Sequence, residues 1–227
     1  DLHLSLRRQR QMCIRDSRQA ALNATFGAPL RMNKLPQITL AFWVMKICAT
    51  TLGETAGDLL SMTLNVGYAI SSMILISVFL LTLVTQLWSK TYNPVLYWIV
   101  ILSTSTAGTT MSDFMDRTLG LGYASGSLIL IGILLAIFAL WRLSGDSLNV
   151  NKIQTFRGEM FYWMAILFSN TLGTALGYLA DDSGLGFAGG ALLIGLTIAV
   201  VVLLKYFTRL SSVLLFWVAF VLTRPFG

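Results

Sequence analysis

The chain has 227 residues, 56% apolar and 11% charged, with a mean hydropathy of +0.73 and a net charge of +6. Soluble domains carry about a quarter charged residues, so this composition excludes a wholly disordered chain and a collagen-like fibre and argues against an ordinary cytosolic enzyme. Cys13 and Cys48 make no disulfide framework, and a single histidine, His3, excludes chemistry built on paired histidines.

The first 35 residues hold seven Lys/Arg and two acids, a net +5, whereas residues 36–227 hold nine basic and eight acidic residues, a net +1. The basicity is therefore local. A nucleic-acid binder would interleave basic and aromatic residues on a folded surface, and no such pattern is present. Residues 1–31 have no apolar core and no small-residue cleavage site, so they are not a signal peptide. Their opening, DLHLSLRRQRQMCIRDS, resembles a translated sequencing-adapter read, and Met32 reads as the natural start. The expected organisation is a non-native or disordered basic tail over 1–31 and one membrane domain over 32–227.

A helix needs about 20 mostly apolar residues to cross the hydrocarbon core. Seven such segments follow in order: about 36–56, 67–89, 94–114, 121–142, 159–179, 185–207 and 210–226. Transmembrane strands would alternate, but runs such as Met73–Leu83 and Leu128–Leu140 are continuous, so the expected fold is all-α, a polytopic transmembrane bundle. One set of connections carries Lys90, Arg142, Lys152, Arg157, Lys205 and Arg209; the other carries Arg117 against Asp116, Asp181 and Asp182. The positive-inside rule puts the first set, and the N-terminus, in the cytoplasm. The expected location is a membrane that the chain crosses several times. All six tryptophans fall near the cytoplasmic ends, as an interfacial belt would.

The segments repeat. FWVMKICATTLGETAGD from Phe42, YWIVILSTSTAGTTMSD from Tyr97, YWMAILFSNTLGTALGY from Tyr162 and FWVAFVLTRPFG from Phe216 each place a Gly ten residues after the Trp. The tryptophans are Trp43, Trp98, Trp163 and Trp217, and the glycines Gly53, Gly108, Gly173 and Gly227. The following helices repeat as NVGYAISS, GLGYASGS and GLGFAGGA. Each unit is a two-helix hairpin, so successive units point the same way. The repeats run over about 36–90, 91–145, 156–209 and, as a partial copy, 210–227.

On these residues the chain resembles a bacterial four-repeat family of membrane proteins of unknown function, with two spans and a hallmark tryptophan per repeat. The resemblance covers about residues 34–227. It implies the bundle fold and the membrane location, and it supplies no activity. It also implies an eighth helix, so the chain reads as truncated at its C-terminus.

Aligned copies differ in their polar residues. Three after the Trp come Lys46, Ile101, Ile166 and Phe220; seven after, Thr50, Ser105, Asn170 and Arg224; eleven after, Glu54, Thr109 and Thr174; fifteen after, Asp58, Asp113 and Tyr178. Residues four apart share a helix face, so each set lines one stripe. The candidate substrate- or ion-binding residues are Glu54, Asp58, Asp113, Lys46, Asn170, Tyr178 and Arg224. A charge at bilayer depth costs about 2.5–3.5 kcal/mol on insertion scales and needs a partner or a wet cavity. Lys46 and Glu54 are about 12 Å apart along one helix, so Asp113 or a neighbouring helix is the expected partner of Lys46. Carboxylates without His or thiolate suit protons or hard cations, and Glu54, Asp58 and Asp113 are the candidates for any metal. The competing reading leaves Asp58 and Asp113 as solvated helix ends.

Small residues at spacing four let membrane helices approach closely. Gly53, Gly57, Gly108, Gly173, Gly177, Gly122, Gly126, Gly186 and Gly190 are therefore assigned to helix packing. GLGY is not a nucleotide loop, since no strand precedes it and no Lys-Ser/Thr follows.

The expected function is a secondary transporter or exporter of a small cation or charged solute. The alternatives are a non-transporting scaffold or partner-binding subunit and, more remotely, an intramembrane aspartyl enzyme using Asp58 and Asp113. No enzyme activity and no cofactor are expected. The expected partners are the lipid bilayer and a small cation or proton, with no nucleic acid.

Overall fold

The computed structural model describes residues 36, 38–89, 91–150, 153, 155–207 and 211–226. The expectations for residues 1–31, for Lys90, Lys152, Arg209 and Gly227, and for an eighth helix lie outside the described residues.

The fold is all-α. Among the described residues, seven helices follow in order: α1 Leu40–Asp58, α2 Tyr68–Trp88, α3 Pro94–Asp113, α4 Tyr123–Leu143, α5 Phe156–Ala180, α6 Gly186–Phe207 and α7 Ser212–Leu222. They fall on the seven expected segments. After α1, α3 and α5 the chain makes a π-helical turn, at Leu59–Thr63, Phe114–Thr118 and Asp181–Leu185. The repeat therefore extends to the backbone.

Local chemistry starts α1, α3 and α5. Thr39 accepts from the Phe42 amide, Asn93 accepts from Val95 and Leu96 ahead of Pro94, and Thr155 accepts from Gly158. Each side chain satisfies amides that the first turn leaves unpaired. The even helices start differently: α2 and α4 follow Gly67 and Gly122, at φ +85° and +72°, and α6 opens at Gly186, at φ +65°. A Cβ at these three positions would meet nothing within 4 Å. Gly122 and Gly186 thus serve the left-handed turn that precedes the helix, which corrects their assignment to packing.

The helices form two layers. The odd helices α1, α3, α5 and α7 make an inner ring, and α2 packs on α3, α4 on α5, and α6 on α7. Composition decides the layer. The even helices are long and apolar enough to cross a membrane, and they expose Leu81 (70%), Leu128 (71%) and Leu192 (68%). In water these faces would form an apolar patch far above that of a soluble monomer; in hydrocarbon they are matched. Of the odd helices, α1, α3 and α5 carry more Ser, Thr and Gly and do not reach that apolarity, whereas α7 is apolar after its first residue but only 11 residues long. They are shielded instead: α3 is buried at nearly every position from Val100 to Asp113. Most of its hydroxyls are satisfied within the helix, with Ser103, Thr104, Thr106 and Thr109 donating to carbonyls three or four residues back.

The ring closes through contacts that recur from copy to copy. Phe42 lies beside Trp98 (5.8 Å between ring centroids), Tyr97 beside Trp163 (5.4 Å), Tyr162 beside Trp217 (6.0 Å) and Phe216 beside Trp43 (5.9 Å). Each aromatic residue that precedes a Trp meets the Trp of the next copy, and the fourth meets the first. Higher up, Gly53 makes room for Ser105, Gly108 for Asn170 and Gly173 for Arg224. The glycine of one copy thus receives the residue seven after the Trp in the next. Close packing of backbone on side chain is the gain these glycines provide.

This arrangement changes the reading of the tryptophans. Trp163 and Trp141 are fully buried and Trp217 nearly so, while Trp88 is exposed. Of the four indoles at the ring, Trp163 and Trp217 are core, while Trp43 and Trp98 are half-buried.

Candidate functional site

The stripe of residues at three, seven, eleven and fifteen after each Trp points into the ring. At its basic end, Tyr97 and Tyr162 share a buried hydroxyl–hydroxyl bond of 2.8 Å. One level up, the fully buried Lys46 donates from Nζ to Thr223 Oγ1 at 3.0 Å and sits 4.1 Å above the Phe220 ring. A hydroxyl and a π-face are a weak substitute for a counter-ion. Of the two expected partners, Asp113 or a neighbouring helix, the structure supplies the second, the helix of the fourth copy.

The middle level is organised by Arg224, whose side chain is fully buried. Gly173 gives it space, since a Cβ there would overlap its Cβ and Cγ. The guanidinium crosses to α1 and α3. Nη1 donates to Glu54 Oε2 at 2.7 Å and to the Thr50 carbonyl at 3.3 Å. Nη2 donates to Thr109 Oγ1 and, at 3.5 Å, to the Ser105 carbonyl. Residues from three copies thus meet on one cation. Asn170 lies on the same level, buried, with Nδ2 donating to Thr104 Oγ1 at 3.1 Å and Oδ1 without a hydrogen bond.

The acidic end begins where α1 and α3 end, at Asp58 and Asp113. Asp113 is fully buried and neither carboxylate oxygen has a hydrogen bond; its Oδ1 lies 3.4 Å from Arg117 Nε. Asp58 is half-buried, with Oδ1 also unbonded. The two are helix ends, as the competing reading had it, but Asp113 is not solvated. Arg117 turns back over the ring mouth. Its Nε donates to Tyr123 OH at 2.7 Å, its Nη1 to Tyr68 OH at 3.0 Å, and its guanidinium carbon lies 4.9 Å from the Tyr178 ring centre. Tyr178 stacks on Tyr123 at 5.3 Å. Beside them, Ser112 donates to Asp116 at 3.2 Å, and Gly126 leaves the space that the Asp116 carboxylate fills. Burial pushes the Asp116 carboxyl above its usual range, opposed by the Ser112 bond and by Arg117.

The seven sequence-derived residues thus fall on three levels of one column. Lys46 stands alone at the basic level, Glu54 joins Arg224 near Asn170, and Asp113 shares the mouth with Asp58 and Tyr178. Glu54, Asp58 and Asp113 do not gather into a metal centre: among the described residues, no group of three or more His, Cys, Asp or Glu could hold a metal ion. Sequence reasoning missed Arg117, Tyr68, Tyr123 and Thr223. Two signals were available. Arg117 lies four residues after Asp113, on the same helix face, and Tyr68 and Tyr123 hold the same place in NVGYAISS and GLGYASGS.

A second opening lies at the basic end. A cavity of about 510 Å³ is bordered by Trp43, Leu148, Val201, Lys205, Phe216 and Thr223. It therefore borders Thr223, the residue whose hydroxyl Lys46 bonds.

No curated protein and no solved structure matches the chain. A family model does, three times, over residues 41–92, 96–147 and 161–211, within a few residues of the hairpins read from the tryptophans. The fourth, partial copy is visible in the geometry, because Phe216, Trp217 and Arg224 take the places that their equivalents take in the other copies. The chain belongs to the family described as Repeat of Unknown Function (DUF347).

Proposed function

We propose that this chain is a multi-pass protein of the bacterial cytoplasmic membrane, N-terminus inside, that moves a small cation or charged solute through its helix ring. The Arg224 node carries the reading. Burying a charge pair seldom improves stability over apolar packing, and ionisable residues inside membrane helices mark pathways. Here Arg224 and Glu54 lie at the centre of a ring whose other interior positions also carry Lys46, Asn170 and Asp113.

The ends of the column support passage. At the basic end a cavity approaches Lys46 through Thr223. At the acidic end Glu54 retains 24% side-chain exposure, while Arg224 beneath it has none. The Arg224–Glu54 pair is then the barrier between the two approaches, and opening it would join one to the other. The orientation rests on Arg142, Arg157 and Lys205 at one end against Asp116, Asp181 and Asp182 at the other. The absence of a three-carboxylate centre among the described residues favours a proton or a singly charged cation over a coordinated metal.

Uptake of small cations and protons into proteoliposomes tests this. The wild type and Gly132→Ala, a change in open space, are expected to carry solute. Glu54→Gln and Asp113→Asn are expected to abolish flux while remaining folded. Wild-type flux in both variants would remove the assigned site, and no flux of any cation by folded protein would remove transport.

A further inference from the structure

The acidic mouth holds a cation already, and it is the protein's own. Tyr68 opens α2, Tyr123 opens α4 and Tyr178 lies near the end of α5, so three separate elements supply three rings to one point. The Arg117 guanidinium carbon lies 5.7 Å, 6.0 Å and 4.9 Å from their centres. Two hydroxyls accept from it, and the Asp113 carboxylate lies beneath. Rings, hydroxyls and a desolvated carboxylate facing one volume are what recognises an organic cation. A bare metal ion would ask for more oxygens and fewer faces.

Two features set this apart from a structural clamp. The Arg117 side chain is 36% exposed, so solvent reaches the cage. Asp113 is fully buried with no hydrogen bond to either oxygen, so its charge is uncommitted except to the loosely placed Nε. The geometry points to an organic-cation site at the outer mouth, built from Tyr68, Tyr123, Tyr178 and Asp113, where a guanidinium or alkylammonium solute displaces Arg117. This deepens the transport reading and rests on it. Arg117 acts as a tethered competitor. It occupies the site and pairs with Asp113 when no solute is bound, and its high local concentration weakens the apparent affinity for the solute.

Thermal unfolding of the purified full chain in detergent tests this, with methylguanidinium, tetramethylammonium or sodium added at constant ionic strength. Ligand that binds the folded state raises the midpoint. Arg117→Ala is expected to respond saturably to millimolar methylguanidinium and tetramethylammonium, and not to sodium. The wild type should need about tenfold more of each organic cation, because the tether competes. Tyr178→Leu added to Arg117→Ala should erase the response, and Tyr178→Phe should keep it. If Arg117→Ala does not fold, Arg117→Gln, whose amide keeps a hydrogen bond to Tyr123, is expected to behave the same way. No saturable response in the folded variant, or the same response after Tyr178→Leu, overturns the proposal. Flux without such binding would remove the cage and leave transport; binding without flux would do the reverse.

Discussion

Gly53→Ala tests the register of the ring. Gly53 sits in α1 against α3, and a Cβ there would overlap Ser105 Cβ and Oγ and come 3.2 Å from the Thr106 amide nitrogen. Backbone and Cβ atoms of a neighbouring helix cannot rotate away, so the helices must part. Overpacking of this kind costs about 1–3 kcal/mol. The Ala itself recovers up to about 1 kcal/mol of helix propensity, leaving a net loss of roughly 1–2 kcal/mol. Gly132→Ala has nothing within 4 Å and should be neutral or slightly stabilising. The decisive variant moves the knob to the other helix. Ser105→Gly alone loses the 3.2 Å bond to the Thr50 carbonyl and adds a helical glycine, together about 1.5–2.5 kcal/mol. Added to Gly53→Ala, it removes the overlap, so the double variant should cost no more than Ser105→Gly. The coupling should reach about 1–2 kcal/mol. Ser105→Ala, which keeps the Cβ, should not rescue. Reversible unfolding in mixed micelles, followed by tryptophan fluorescence, reads all five variants. Additivity within about 0.5 kcal/mol, or a Gly53→Ala as harmless as Gly132→Ala, would refute the close approach of these helices.

Further expectations follow from the same contacts. Glu54→Leu leaves the Arg224 guanidinium buried without a counter-ion and should cost about 3–5 kcal/mol in the same unfolding assay; Glu54→Gln keeps an acceptor and should cost clearly less. Tyr97→Phe and Tyr162→Phe each strand one buried hydroxyl, at about 1–3 kcal/mol, whereas the double change removes both partners and should cost less than the sum. Gly122→Ala should cost about 1–2 kcal/mol through its positive φ alone. Because ψ is +152° there, outside the left-handed helical region that Asn tolerates, Gly122→Asn should cost about as much as Gly122→Ala, and a clearly milder Asn would argue against this backbone conformation.

The layer structure was legible in the sequence to different depths. The seven segments were visible because apolar runs and helix lengths are local properties. The copies were visible because Trp and Gly recur at fixed spacing. That spacing also placed Lys46, Glu54, Asn170, Asp113 and Arg224 on inward stripes, since a repeat that packs its scaffold the same way must face its variable residues the same way. The pairings were not legible. Lys46 meets Thr223 across 177 residues and Arg224 meets Glu54 across 170, and no periodicity encodes which helix closes a ring. Arg117 was read as a loop charge because the sequence does not say that the π-helical turn folds it back over the mouth. Trp141, Trp163 and Trp217 stand near helix ends, where a belt is expected, and no local pattern says that neighbouring copies bury them. Gly122 and Gly186 fitted a small-residue stripe, and only their dihedral angles separate a turn from a contact.

The most direct test is charge movement in the reconstituted protein. Wild-type proteoliposomes adsorbed on a solid-supported membrane and given a step of cation or proton concentration should show a saturable transient current. Asp113→Asn and Glu54→Gln, folded by the unfolding assay above, should show none. A folded wild type that moves no charge under any cation or pH step, or neutralised variants with wild-type currents, would contradict a charged solute passing through the ring.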